Sequence, residues 1–122
     1  MKTFRTAIIG CGGIANGKHL PALKTVENVN LVAFCDIIPE RAEKAAKEYG
    51  VEGALVFTDY KELLAKVKPD VVHVCTPSRA HCEIACAALE AGCDVMCEKP
   101  MAINASEAKK MLDAAERTGK KL

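Results

Sequence analysis

The sequence predicts an α/β fold, a doubly wound parallel sheet with helices on both faces, and three observations predict it. Short apolar runs alternate with helical patterns five times along 122 residues. The runs are apolar at successive positions, as strands buried on both faces require. The first run empties into a glycine-rich turn, "GCGGIA" at residues 10–15, which opens a helix and gives the alternation its Rossmann-type start.

Each element follows in order. "TAIIG", residues 6–10, is a buried strand ending at glycine. The helical stretch after it runs to about Val26, and Pro21 should kink or split it, because proline lacks the N–H its turn needs. "NLVAFCD", residues 30–36, is the second strand. Pro39 opens the helix "PERAEKAAKEYG", which stops at Gly50. "ALVF", residues 54–57, is a brief third strand; Asp59 and Glu62 then form a capping-box pattern ahead of "YKELLAKV". "DVVHVC", residues 70–75, is the fourth strand, and Ser78 can cap "RAHCEIACAALEA" up to Gly92. "DVMC", residues 94–97, is the fifth. Asn104 with Glu107 caps a last helix that Gly119 ends. The expected strand order is 3-2-1-4-5. A sixth strand would begin at Lys121-Leu122, so the sheet is expected to be truncated near its sixth strand.

Size and composition narrow the function classes. A chain of 122 residues fits one domain, residues 1–122, with enough buried surface to fold without staples. The 17 basic and 16 acidic side chains leave a net charge of +1, which offers nothing to nucleic acid or an anionic membrane. No apolar run approaches the ~20 residues of a membrane span, and "MKTFRTAIIG" has no signal-peptide core, so a cytoplasmic location is the expectation. The seven cysteines are odd in number and include no C-x-x-C pair, which argues against a disulfide framework. Cys82, Cys86 and His81 lie close together on one helix, but a structural zinc site wants four convergent ligands, so no metal is expected.

Four motifs carry chemistry. In G-x-G-x-x-A, Gly10 allows the tight turn, Gly12 lets backbone approach a pyrophosphate, and Ala15 lets helix and strand pack closely. Gly13 and Ile14 complete that turn, whose helix N-terminus faces the phosphates. Asp36 ends the second strand, where a carboxylate accepts bonds from both adenosine ribose hydroxyls and repels a 2′-phosphate. Ile37 and Ile38 follow it with no adjacent cation, and Arg41 is the nearest, which favours NAD over NADP. "CTPSRAH", residues 75–81, follows the fourth strand at the switch in strand order, so Thr76 and Pro77 should line the cofactor's path and His81 should face the same crevice. His73, inside the strand, reads as structural. Last comes Glu98-Lys99-Pro100, which places a charged amine at the sheet's rim beside a carboxylate and fixes the backbone just beyond it.

Together "AIIGCGGIA", "HLPAL", the Asp36 strand end, "CTPSRAH" and "CEKPMA" closely resemble the N-terminal NAD(P)-binding domain of the Gfo/Idh/MocA oxidoreductases, relatives of glucose–fructose oxidoreductase and inositol dehydrogenase. The resemblance spans essentially the whole chain. It implies an NAD(P)-dependent oxidoreductase acting on a CH–OH group of a sugar, sugar acid or cyclitol. By motif, Gly10, Gly12 and Ala15 would bind the dinucleotide, Asp36 its ribose, and Thr76, Pro77 and His81 the nicotinamide end. Lys99 would be the catalytic-site lysine, polarising the reacting oxygen and contacting the nicotinamide ribose, and Glu98 beside it would also bind the cofactor. The family's second α/β domain, which supplies most substrate contacts, does not follow here, so the chain is expected to bind dinucleotide, to lack turnover alone and to self-associate through an open sheet edge. The alternative is a stand-alone nucleotide-binding or redox-sensing module.

Overall fold

The computed structural model describes residues 2–122. Its single sheet has five strands: β1 (Phe4–Ile9), β2 (Val29–Cys35), β3 (Leu55–Phe57), β4 (Val71–Val74) and β5 (Asp94–Cys97). Their order is β3-β2-β1-β4-β5, as the alternation predicts, and every pairing is parallel. β1 starts earlier than its apolar run, at Phe4, because Arg5 is held there. Its guanidinium donates to the carbonyls of Val67 and Lys68 at 2.9 and 3.0 Å, and its N–H to Asp70 at 2.9 Å.

Helices cover both faces. On one face α3 (Tyr60–Val67), α4 (His81–Glu90) and α5 (Ala105–Thr118) pack on Ala7, Ile9, Val72, Val74 and Val95 through Leu63, Ile84, Leu89 and Met111. On the other, α1 (Leu20–Lys24) and α2 (Pro39–Tyr49) bring Leu20, Ala42 and Ala45 onto Ile8, Leu31 and Phe34. Leu31 and Ala33 would share a face in a regular strand. They lie in opposite core layers because the β1–β2 register shifts between Thr6 and Ala7, an irregularity that the sequence pattern hides.

The first helical segment, residues 13–24, shows what Pro21 does. Its middle widens to a π turn, Ala15–His19, in which the Leu20 N–H reaches back to the Ala15 carbonyl. Pro21 then sits in the first turn of α1, where a missing N–H is tolerated. Two caps behave as expected: Asp59 accepts from the Lys61 N–H at 2.9 Å and Asn104 from the Glu107 N–H at 2.8 Å. Glu62 instead pairs with Lys66 at 2.9 Å, so the capping box is not closed. Ser78 does not cap α4; a 3₁₀ turn, Ser78–Ala80, intervenes without a side-chain cap.

Candidate dinucleotide cleft

A cleft of about 650 Å³ opens beyond the carboxyl ends of β1, β2 and β4, at the switch in strand order. Its floor is the glycine turn. Gly10 has φ +95°, and a Cβ there would lie 2.7 Å from the Cys75 carbonyl carbon, because β1 and β4 close up at this point. Gly12 and Gly13 are open above: a Cβ on Gly12 would meet only the Arg41 guanidinium, at 3.7 Å, and one on Gly13 nothing within 4 Å. The turn is bolted by Asn16, whose side-chain amide donates to the carbonyls of Cys11 and Gly12 at 2.8 and 2.9 Å.

Asp36 closes the β2 side. It is 8% exposed, and its two oxygens accept from the Cys11 and Ile38 N–H groups, both at 2.8 Å. The carboxylate is thereby aimed by backbone from β1 and from its own loop, and each oxygen keeps a lone pair for a ligand. Thr76 and Pro77 form the β4 side, and the Thr76 hydroxyl is buried without a partner. On the far wall the Tyr60 hydroxyl donates to Glu83 at 2.7 Å. That pairing, after burial, holds the phenol well above its usual range.

The cleft therefore gathers Gly10, Gly12, Gly13, Asp36, Ile37, Thr76 and Pro77 from the predicted set. Ala15 lies beneath it, fully buried at the helix–strand contact. Ile14 sits where the chain enters the π turn, with its side chain exposed. One expectation needs correction. His81 does not face the crevice: it is buried, with Nε2 2.8 Å from the Thr76 carbonyl and Nδ1 2.8 Å from the Pro100 carbonyl. It lies between the cleft loop and the turn after β5 instead, and as a neutral ring, with one N–H, it donates to one of the two carbonyls. Glu98 and Lys99 lie on that turn, outside the cleft lining. Lys99 is exposed, and its N–H donates to Glu98 Oε1 at 3.1 Å. The Lys99–Pro100 bond is cis.

Sequence reading undervalued Arg41, and passed over Arg79, Tyr60 and Glu83, all of which line the cleft. Arg41 was findable, five residues past Asp36 in the first turn of α2, and so was Arg79, inside the segment that follows β4; Tyr60 and Glu83 come from elements that only the sheet order brings there. The cysteines at the cleft are held as thiols. Burial above all, with the Asp36 charge second, pushes the Cys11 and Cys35 thiols up to about 12, and burial pushes Cys75 to about 12. Among the described residues no three metal-binding side chains converge; Cys82 faces the Glu107 carbonyl at 3.6 Å.

A glycine floor open to backbone approach, an aimed carboxylate and an orphaned hydroxyl in one cleft define a dinucleotide-binding Rossmann domain. Residues 4–122 match the profile of the GFO_IDH_MocA oxidoreductase family, NAD-binding Rossmann fold, and the chain belongs to that family. It is 46% identical over 119 residues to D-glucoside 3-dehydrogenase of Escherichia coli, covering 98% of this chain and 33% of that protein. With inositol 2-dehydrogenase of Salmonella typhimurium it shares 34% over 120 residues, 98% of this chain and 35% of that protein. The fold superposes with a TM-score of 0.89 on the WlbA dehydrogenase of Bordetella pertussis in complex with NADH and UDP-GlcNAcA, at 31% identity over 98% of this chain and 36% of that one. It superposes equally, at 0.89 and 28% identity over 98% and 36%, on a 3-ketoreductase of Actinomadura kijaniata in complex with TDP-benzene and NADP. The chain thus spans about a third of the length of these relatives. None of its described helices is long and apolar enough to cross a membrane.

Proposed function

We propose that this chain is the cofactor-binding part of a dehydrogenase that takes NAD in preference to NADP and acts on a CH–OH group of a sugar, sugar acid or cyclitol. The observation that carries the reading is Asp36, held by two backbone N–H groups at the edge of the cleft with lone pairs to spare. Those lone pairs suit a ribose diol and repel a 2′-phosphate. Gly12 and Gly13 admit the pyrophosphate to the backbone, Arg41 offers it a guanidinium, and the Thr76 hydroxyl bonds the nicotinamide half. The bound nicotinamide supplies the hydride acceptor.

Lys99 is the catalytic residue in this reading. It leaves β5 at the same rim of the sheet, and its ammonium donates to the reacting oxygen and to the nearby ribose. Kinship with sugar and cyclitol dehydrogenases supports the substrate class. Thiol-based redox sensing is disfavoured, because Cys11, Cys35 and Cys75 with pKa values of about 12 hold almost no thiolate at neutral pH.

Calorimetry of the purified chain is the test. NADH should bind at least about tenfold more tightly than NADPH, and Asp36→Ala should shrink that ratio toward one. Equal affinities in the unmutated protein would refute the cofactor preference.

A further inference from the structure

Three histidines and one carboxylate surround the Lys99 turn, and His81 packs against it at the Pro100 carbonyl. The other two, His19 and His73, form a chain with Glu98. His73 projects from β4, and its Nδ1 lies 2.9 Å from Nδ1 of His19, with the rings edge to face at 89°. His19 Nε2 lies 2.6 Å from Glu98 Oε2. The other carboxylate oxygen of Glu98 accepts the Lys99 N–H at 3.1 Å. His19 ends the π turn, so the widened helix is what carries this ring to the sheet's rim.

The chain has one consistent proton arrangement when both rings are neutral. A carboxylate only accepts, so His19 must donate through Nε2–H. Its Nδ1 is then bare and must accept, so His73 must donate through Nδ1–H. Burial, with the neighbouring His19 second, pushes His73 down to about 4, which keeps that ring neutral near pH 7. The bond from His19 foremost, and the Lys99 N–H after it, hold the Glu98 carboxyl below its ordinary range, which keeps it an acceptor.

We propose that His19 is the positioning residue of the site lysine: through Glu98 it fixes the backbone from which Lys99 leaves the sheet, and His73 fixes the tautomer in which His19 does so. His19 holds the turn through Glu98 from one side, and His81 packs against it from the other, its Nδ1 2.8 Å from the Pro100 carbonyl. The role assigned to Lys99 rests on the proposed function; the hydrogen-bonded chain does not.

Two measurements on the 122-residue chain separate these. The first is imidazole nitrogen NMR, at a pH where the spectra themselves show both rings neutral, with amide exchange. His19 should appear as the Nε2–H tautomer and His73 as the Nδ1–H tautomer. Glu98→Gln, a near-isosteric change, should perturb both rings. His19→Ala should speed exchange of the Lys99 amide about tenfold, and His19→Gln, which keeps a donor, should restore part of the protection. Opposite tautomers, or a Lys99 amide indifferent to His19→Ala in a variant that still melts cooperatively, would overturn the proposal. The second is NADH affinity in a double-mutant cycle. His19→Ala should weaken binding about threefold to tenfold and have no further effect in a Lys99→Ala background. Additive losses would overturn positioning through Lys99. If Lys99→Ala leaves affinity unchanged, the lysine's contact with cofactor fails, while the tautomers and exchange rates still decide the hydrogen-bonded chain.

Discussion

Single residues here act mainly by where backbone lets them stand. Gly10 is the clearest case: with φ +95° and backbone 2.7 Å from any Cβ, it meets two obstacles to a side chain at once. Gly10→Ala should lower stability by about 3 kcal/mol or more and the melting temperature by ~10 °C, read by calorimetry. Gly13→Ala, with nothing within 4 Å, should cost far less stability, which separates the closed end of the turn from its open one. The buried thiols make a second prediction. Cys11, Cys35 and Cys75 are raised from 9.0 to about 12, so the folded state holds their protons where the unfolded state releases them. Their contribution is complete below pH 9 and is lost as pH climbs toward 12. Melting temperature should therefore fall steeply above pH 9, and Cys35→Ala should flatten that slope. Asp36 and the glycines were legible in sequence because strand ends and tight turns demand those residue types. His81 was misplaced, because its direction depends on a partner far along the chain, the Pro100 carbonyl.

At the scale of elements, the β5 edge matters most. The sequence suggests an open edge; the structure covers its beginning. The Val95 N–H donates to the Lys121 carbonyl at 2.8 Å, and the Lys121 N–H to Asp94 at 2.8 Å. By alternation the Cys97 N–H also points outward, beyond the reach of that pairing. On β5 itself Met96 is more than half exposed. A partly covered edge that carries an exposed apolar side chain invites pairing with a second copy. Sedimentation at high micromolar concentration should show reversible self-association. A strict monomer there would count against it. The register shift in β1–β2 and the π turn were both illegible, since neither disturbs the apolar pattern from which strands and helices are read.

For the molecule as a whole, the expected outcome is binding without appreciable turnover. Hydride transfer needs the substrate carbon held against the nicotinamide with a proton acceptor in reach. Lys99 stands exposed on a turn outside the cleft lining. We therefore expect the purified 122-residue chain to bind NAD yet reduce none measurably with sugars or cyclitols. Robust reduction that Lys99→Ala abolishes would make the domain catalytically self-sufficient. By itself the sequence determined the alternation of strands and helices, the strand order, the glycine floor and the carboxylate at the end of β2. Those depend on periodicities and turn chemistry that act within a few residues. Tertiary structure alone decided which side chains share the cleft, what covers the β5 edge and what holds Lys99. The His19–Glu98 bond joins residues 79 apart in sequence; no local pattern encodes such a contact, because it exists only once β1, β4 and β5 lie side by side.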